Sequence, residues 1–313
     1  MPNNQTKALV HGSAMLVIFT MMMMLSRYIP LAFLLVVLFT PLPFAWYSAK
    51  YKSSFSIVIA LLGCMLTMLT CGFIMLPFAM IFAVVGVVMG YTIRTGKSKL
   101  HIFMSTGLAV LLSTAVIFLL YVRIADINMI ELGLDEAKKN YEQTIAQNEE
   151  LFGQAQVSQE KMDATIQMME LSVPSTVTIS SFFIAFLIVS LNLPILRRLR
   201  LEVPTFPPFQ DMRLPRAILW YYMIILCINL FIRPEAGSTL DMVILNISVI
   251  LWMLLILQGV SFIHYVFAKR GIPNALKWLT TLLVLPLSSF MILLGIVDLG
   301  FDVRSLVKGK HKK

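Results

Sequence analysis

Six polar side chains inside apolar stretches are the residues of this sequence that could do chemistry. They are His11, Asn192, Asn229, Asn246, Gln258 and His264. None has a carboxylate at catalytic spacing on its own predicted helix, and no histidines, cysteines or acids have the spacing of metal ligands. The sequence also lacks the HExxH and GxSxG patterns that activate water or a nucleophile. These absences predict a protein that is not an enzyme and that uses no cofactor and no metal.

Hydrogen bonding between helices is the role that we expect for most of these groups, since a polar side chain in hydrocarbon is costly without a partner. His11 is the exception, because it lies between Ala8 and Gly12, two small residues four positions apart. Such a pair lets another helix approach closely. We therefore expect Ala8, His11 and Gly12 to contact a partner protein in the membrane, with packing inside the chain as the alternative.

Glycines and prolines mark a second packing site and a break. Gly86 and Gly90 form a GxxxG pattern that predicts close helix packing. Pro41 and Pro43 interrupt another apolar stretch, where each removes a backbone donor and clashes with the preceding turn. Because broken helices at membrane depth line protein interiors or wet cavities, Pro41 and Pro43 are candidate walls of a binding pocket. A simple kink packed against neighbouring helices is the alternative.

The composition requires a membrane environment. Of 313 residues, 58% are apolar and 13% are charged, and the mean hydropathy is +0.85. A hydrocarbon core is crossed by about 20 apolar residues in a helix. The sequence therefore predicts an all-α, polytopic helical membrane protein with eight to nine transmembrane helices. The apolar stretches are 8–26, 30–47, 54–72, 75–93, 100–122, 174–195, 216–232, 240–268 and 276–299.

One long segment, 123–173, is too polar to enter a bilayer. It carries ten acids against four bases, and its apolar residues recur at a period near 3.5. This pattern predicts an acidic, helical extracytoplasmic insertion, folded as a hairpin of two amphipathic helices that is interrupted near Gly153. A solvated helical spacer between two spans is the alternative.

Lysine and arginine counts predict an orientation. Up to residue 299, alternate ends of the stretches carry fourteen basic residues on one side and six on the other. Because cytoplasmic loops are enriched in these residues, we expect a cell-membrane protein with a cytoplasmic N-terminus and segment 123–173 outside. Nine crossings would put the basic residues after 299 outside. We therefore expect the last stretch, bent at Pro286, to return to the cytoplasm, with nine full crossings as the alternative.

Part of the chain resembles a known family. Four features of the sequence are similar to the six-span substrate-binding (S) component of energy-coupling-factor (ECF) transporters. They are the pair of small residues at 8 and 12, the proline-broken second helix that ends in Trp46-Tyr47-Ser48-Ala49-Lys50-Tyr51, the turn at Gly72 and the segment 86–90. The resemblance implies a small-molecule pocket that opens outward. It also implies contact with a transmembrane coupling subunit through Ala8 and Gly12.

Motifs along the whole chain resemble the YybS-like family of uncharacterised bacterial multi-pass membrane proteins. They are Leu42-Pro43-Phe44, Met212-Arg213-Leu214-Pro215, Gln258-Gly259 and Asp302-Val303-Arg304. We divide the chain into a six-span core at 1–200, which contains the insertion, and a C-terminal membrane part at 201–313 with three further helices.

These observations favour a membrane protein that is a substrate-binding or transport-related subunit for a small molecule. The expected partners are the lipid bilayer, a transmembrane coupling subunit or other membrane protein, and a small-molecule ligand, but no nucleic acid. The alternative is a membrane scaffold or regulator that recruits envelope or cytoplasmic partners through the acidic insertion and the basic loops. An intramembrane enzyme is the weakest hypothesis, because the sequence has no paired carboxylates or nucleophile motif.

Overall fold

Helices are the only regular structure in the computed structural model, which describes residues 4–124, 126, 128–152, 159–205, 208–235 and 237–305. In chain order they are α1 (Asn4–Tyr28), α2 (Pro30–Phe39), α3 (Leu42–Lys50), α4 (Ser53–Cys71), α5 (Leu76–Arg94), α6 (Lys99–Ile124), α7 (Met129–Phe152), α8 (Gln159–Leu171), α9 (Val173–Arg198), α10 (Ala217–Phe231), α11 (Thr239–Lys269), α12 (Asn274–Leu282) and α13 (Ser288–Phe301). Short 3₁₀ turns, Phe73–Met75 and Phe209–Asp211, precede α5 and α10.

Six helices of the described residues are long and apolar enough to cross a membrane, namely α1, α4, α5 with its preceding turn, α6, α9 and α11. The predicted polytopic helical architecture is therefore confirmed. Three of the nine predicted spans do not form single long helices. The stretch 30–47 forms α2 and α3, and 276–299 forms α12 and α13. The stretch 216–232 forms α10, whose 15 residues measure about 22 Å, less than the thickness of a hydrocarbon core.

The predicted break in the second stretch lies at Thr40 and Pro41. Pro41 and Pro43 have no N–H group to donate to the turn before them, so α2 ends at Phe39 and α3 begins at Leu42. The short helix α3 is buried from Pro43 to Ser48, and α1, α4 and α5 pack against it. The break therefore places α3 inside the protein, away from lipid.

A tight turn joins α4 and α5, as the sequence predicted. Gly72 ends α4 with a φ of 82°, a left-handed conformation that glycine adopts without a steric penalty. The two helices then pack against each other in an antiparallel hairpin.

Contacts within the chain define two compact units. Unit 1 comprises Met1–Asp135 and Val177–Thr205, and unit 2 comprises Glu136–Thr176 and Phe206–Lys313. The acidic insertion was expected to belong to the N-terminal core, whereas the contacts group most of it with the C-terminal helices. The cause lies at the end of the insertion, where α8 packs against α11.

The insertion contains two helices, α7 and α8, as its apolar period predicted. Gly153, the predicted interruption, lies outside the described residues, and α7 ends just before it at Phe152. The acidic side chains of α7 that the structure describes are exposed, namely Glu131, Asp135, Glu136 and Glu142. A charged, exposed helix of this kind does not insert into hydrocarbon.

Candidate functional site

The predicted partner-contact residues Ala8, His11 and Gly12 lie against other helices of unit 1. Ala8 is buried, and the Nδ1 atom of His11 is 2.5 Å from the Tyr51 hydroxyl. A Cβ atom added at Gly12 would lie 2.9 Å from Cδ1 of Ile59, closer than Cβ atoms normally approach. The structure thus gives these residues contacts inside the chain, which was the alternative at the sequence level. Contact with a partner protein stays a prediction.

Gly86 and Gly90 lie where α5 packs on α3. A Cβ atom added at Gly86 would lie 2.5 Å from the carbonyl oxygen of Pro41, and one added at Gly90 would collide with the carbonyl oxygen of Ala45. Both glycines therefore allow α5 to approach the backbone of α3. Pro43 is buried in the same packing, and a role for Pro41 and Pro43 in a pocket wall stays a prediction.

Asn192 of α9 compensates for the break between α2 and α3. Its Nδ2 atom donates hydrogen bonds to the carbonyls of Leu38 at 2.8 Å and Ile188 at 2.7 Å. Its Oδ1 atom has no hydrogen-bond partner among the described residues. The predicted role in interhelical hydrogen bonding is confirmed for this residue, whereas Asn229 of α10 is exposed.

Two other polar residues of the predicted spans bridge elements of unit 2. Asn246 of α11 accepts a hydrogen bond from the backbone N–H of Ser175 at 2.7 Å and donates to the Leu171 carbonyl at 2.7 Å. It therefore ties α11 to the boundary between α8 and α9. His264 Nε2 lies 3.1 Å from the Lys277 carbonyl and holds α12 against α11.

Two glycines bring α11 and α13 together at a crossing. A Cβ atom at Gly259 would collide with the carbonyl of Met291, and one at Gly295 would collide with the carbonyl of Leu255. Because neither glycine has a side chain, the two backbones touch here. This close approach allows polar side chains from the two helices to meet inside unit 2.

A buried ion pair lies beside this crossing. Asp298 Oδ2 accepts hydrogen bonds from Gln258 Nε2 at 2.5 Å and from Arg304 Nε at 2.9 Å. The side chain of Asp298 is 0% exposed and that of Arg304 is 6% exposed. Arg304 also donates through Nη2 to Ser261 Oγ at 3.2 Å. An isolated charge at this depth would be costly, so the pairing is what permits both residues to be buried.

The segment 208–216, which leads into α10, covers the ion pair. Arg304 Nη1 donates to the Gln210 carbonyl at 2.8 Å, and Gln258 Oε1 accepts from the backbone N–H of Leu214 at 3.0 Å. The Ser261 hydroxyl lies 2.8 Å and 2.9 Å from two further carbonyls of this segment. The network thus connects α11, the residues after α13 and the entrance to α10.

A second ion pair closes the network at the surface. Asp302 ends α13 in the left-handed conformation, with a φ of 48°, which aspartate tolerates better than most residues. Arg213 donates a hydrogen bond to its carboxylate, and Arg216 lies 3.6 Å from the other carboxylate oxygen. The Arg213 hydrogen bond is the main reason that the pKa of Asp302 is lowered. The chain after α13 therefore lies at the same end of unit 2 as the start of α10.

A cavity of about 310 Å³ opens between the two ion pairs and has unsatisfied polar groups beside it. Tyr265 is 5% exposed, and its hydroxyl has no hydrogen-bond partner among the described residues. The Oδ1 atom of Asp298 also has no hydrogen-bond partner among the residues that the structure describes. Buried polar groups are nearly always hydrogen-bonded, so these two atoms are exceptions within unit 2. The lining residues are Asp211, Arg213, Tyr265, Asp302, Arg304 and Ser305.

This site was not among the predicted sites. Asp298 lies inside the predicted span 276–299 but was not among the six polar residues singled out. An acid within an apolar stretch is itself a signal of function, so Asp298 could have been found. Arg304 was noted only in a family motif, and its contact with Asp298 depends on the turn of the chain at Asp302.

Comparisons with known proteins agree with a membrane protein. No solved structure matches the chain. A protein from Bacillus subtilis (strain 168), "Uncharacterized protein YybS", is 25% identical over 309 residues, which cover 97% of this chain and 99% of the relative. This likeness confirms the predicted resemblance to YybS. Residues 17–299 match the family model described as "Predicted membrane protein (DUF2232)", and the chain therefore belongs to the DUF2232 family of predicted membrane proteins.

Proposed function

We propose that this protein is a membrane-embedded binding subunit for a small polar solute and that it acts in transport. The observation that carries the proposal is the cavity of about 310 Å³ beside the buried Asp298–Arg304 pair, with Arg304 and the exposed Asp211 among the residues that line it. Ligand pockets place a few polar groups in an otherwise apolar surrounding and begin at about 300 Å³. Charged residues kept within a membrane protein commonly mark the path of a substrate.

The solute site faces the cytoplasm in this proposal. Basic residues gather at the end of unit 2 that carries the cavity, where Arg213 and Arg216 lead into α10 and Lys269 ends α11. The opposite ends of α10 and α11 are joined by a segment with a single basic residue, Arg233. An excess of lysine and arginine favours the cytoplasmic side.

The resemblance to S components supports a role as one subunit of a larger transporter. It implies an outward-opening pocket in the first six spans, whereas the cavity belongs to unit 2. The resemblance therefore implies a solute site in unit 1 that is separate from the cavity of unit 2. A transmembrane coupling subunit and ATPases should co-purify with the protein if the resemblance extends to its partners.

Small molecules that co-purify with the protein test the proposal. The full chain is extracted from its native membrane in detergent, and bound solutes are identified by mass spectrometry. We expect a solute that is retained by the wild type and lost from Asp211→Asn, because that change removes the charge of an exposed carboxylate that lines the cavity. Glu202→Gln, at an exposed acid of unit 1, is the matched control and should retain the solute. Equal solute content in all three proteins would overturn the site.

A scaffold function is the second candidate, favoured by the exposed acidic side chains of α7. In that case the acids recruit a basic partner and the cavity has no ligand. Charge reversal of Glu136 and Glu142 to lysine should then release the partner, while the solute content stays at zero in every variant. Recovery of the same partners by the charge-reversed protein would contradict the scaffold function.

A further inference from the structure

Basic side chains gather where α6 begins and α9 ends. Lys99 is the first residue of α6, and Arg198 is the last residue of α9. The ring centroids of Phe103 in α6 and Phe182 in α9 are 5.8 Å apart, so the two helices pack together. Lys99 and Arg197 are close enough for their charges to repel each other. The two helix ends therefore form one surface of unit 1, called here the basic surface, which carries Lys97, Lys99, Arg197, Arg198 and Arg200.

Neighbouring acids do not balance the charge of the basic surface. Glu202 is the one acid in the adjoining segments 96–100 and 195–205. Within the described chain, no recorded ion pair involves Lys97, Arg198 or Arg200, and these three side chains are exposed. The surface therefore keeps a net positive charge, which attracts a partner of negative charge.

The side chain of Arg200 is not needed to end α9. The backbone N–H of Leu201 donates to the Leu196 carbonyl at 3.1 Å, and the backbone N–H of Arg200 donates to the Arg197 carbonyl at 3.0 Å. This pair of hydrogen bonds commonly closes a helix. Because backbone groups cap α9, the Arg200 guanidinium is left to a partner, and no recorded hydrogen bond of the described residues uses it.

The position of these charges at the ends of two spans favours a lipid as the partner. Both α6 and α9 are long and apolar enough to cross a membrane, so Lys99 and Arg198 lie where the hydrocarbon ends and the headgroup layer begins. Leu100 and Leu199 each follow one of these basic residues and are 61% and 45% exposed. Exposed apolar side chains beside exposed bases fit an acyl chain below a charged headgroup. An acidic protein in water would offer them only a polar surface.

We propose that the basic surface binds the headgroup of an anionic phospholipid. The anionic headgroup accepts hydrogen bonds from Arg198 and Arg200 and offsets the repulsion between Lys99 and Arg197. A bound lipid therefore joins the start of α6 to the end of α9. This binding does not depend on the solute site, because the basic surface belongs to unit 1 and the cavity belongs to unit 2.

Native mass spectrometry of the purified full-length protein in detergent tests the proposal. The lipid probes are dioleoyl-phosphatidylglycerol, which is anionic, and dioleoyl-phosphatidylcholine, which has the same acyl chains and no net charge. Glycerol 3-phosphate and a decaglutamate peptide serve as soluble competitors. We expect the wild type to bind phosphatidylglycerol more tightly than phosphatidylcholine, and neither competitor to displace it.

Three variants connect this preference to the basic surface. Arg200→Gly removes the guanidinium at a φ of 64°, a conformation that glycine adopts without strain. It should raise the dissociation constant of phosphatidylglycerol about fivefold, the loss expected for one basic charge near an anionic surface. Arg200→Lys keeps the charge and should retain most of the preference.

Arg233→Gly is the matched control for the loss of charge and for the backbone change. Arg233 is also exposed and has a φ of 47°, but it lies after α10 in a segment with no other basic residue. This variant should bind phosphatidylglycerol as the wild type does. The unfolding midpoint of each variant shows whether it is folded before its lipid binding is compared.

The outcomes decide between the possible occupants of the surface. A preference for phosphatidylglycerol that Arg200→Gly weakens and Arg233→Gly preserves supports the proposal. Equal affinity for both lipids, or an equal loss in the two glycine variants, overturns it. A loss that Arg200→Lys shares in full overturns the role of the charge. Displacement by glycerol 3-phosphate would assign the surface to a free phosphate, and displacement by decaglutamate would assign it to an acidic protein.

Discussion

Gly259 and Gly295 lie reciprocally at the crossing of α11 and α13, each against a backbone carbonyl of the other helix. A methyl group at either position would push the helices apart, because a helix carbonyl cannot rotate away. We expect Gly295→Ala to destabilise the protein by about 1–3 kcal/mol and to lower its unfolding midpoint. Gly300→Ala, on the same helix with its nearest neighbour at 3.5 Å, should leave the midpoint unchanged. Equal shifts for the two variants would contradict the crossing.

The buried pair predicts a large cost for removing one partner alone. Arg304→Met leaves the Asp298 carboxylate buried and uncompensated, which should destabilise the protein by about 3–5 kcal/mol. The double variant, Asp298→Leu with Arg304→Met, should recover most of that loss, because it replaces the pair with apolar groups. Arg216→Met, at an exposed arginine, is the control. Additive losses in the double variant, measured by thermal unfolding, would show that the two charges do not depend on each other.

Asp302 predicts a loss of stability at low pH. Its pKa lies below the ordinary value of 3.8, chiefly because Arg213 donates a hydrogen bond to its carboxylate. A carboxyl with a lowered pKa stabilises the folded state above its unfolded pKa and loses this effect as the pH falls through its folded pKa. The difference in unfolding midpoint between wild type and Asp302→Asn should therefore be constant from about pH 8 to about pH 5, should shrink below pH 3.8 and should vanish once the pH is below the lowered pKa of the folded state. A difference that changes near neutral pH would point to another group.

The position of Asp302 beside Arg213 predicts the side of the membrane on which the residues after α13 lie. In a background without native cysteines, Ser305→Cys should resist an impermeant thiol reagent in intact cells and react after permeabilisation. Glu235→Cys, between α10 and α11, should react in intact cells. Labelling of Ser305→Cys in intact cells would mean that 276–299 crosses the membrane in full.

The neighbours of Gly12 and Gly90 predict different responses to an added methyl group, because the clash at Gly12 can relax and the clash at Gly90 cannot. Its close neighbour is the end of the Ile59 side chain, whereas Gly90 faces a backbone carbonyl. Gly12→Ala should lower the unfolding midpoint, and adding Ile59→Val should restore most of the loss. The same Ile59→Val change should not rescue Gly90→Ala. If Gly12→Ala leaves the unfolding midpoint unchanged and releases a partner protein, then Gly12 contacts that partner.

Six long helices and the break at Pro41 could be predicted because their causes are local. Membrane thickness fixes the length of a span, and proline removes a backbone donor wherever it occurs. The division of 276–299 into two short helices also has a local cause, because Pro286 lies between the end of α12 at Leu282 and the start of α13 at Ser288. The local sequence could not predict the crossing of α13 with α11 or the contact of Asp302 with Arg213.

Asp298 could have been identified from the sequence, but its partners could not. Asp298 and Arg304 are close in sequence, but a straight helix through Asp302 would separate them, and only the left-handed residue turns Arg304 back. Gln258 was expected to bond between helices, and this is confirmed by its contact with Asp298. Its partner could not be named from the sequence, because no periodicity relates α11 to α13.

The residues of the buried network are synthesised at different times, so the network forms only late in synthesis. Gln258 enters the membrane with α11, before Asp298 and Arg304 have been made. The helix that carries Asp298 has 14 residues, about 21 Å, and is too short to settle in lipid as an independent span. The side-chain amide of Gln258 on α11 therefore has no partner on α13 until the later residues have been synthesised. A chain interrupted before Arg304 would leave the Asp298 carboxylate without the arginine that pairs with it.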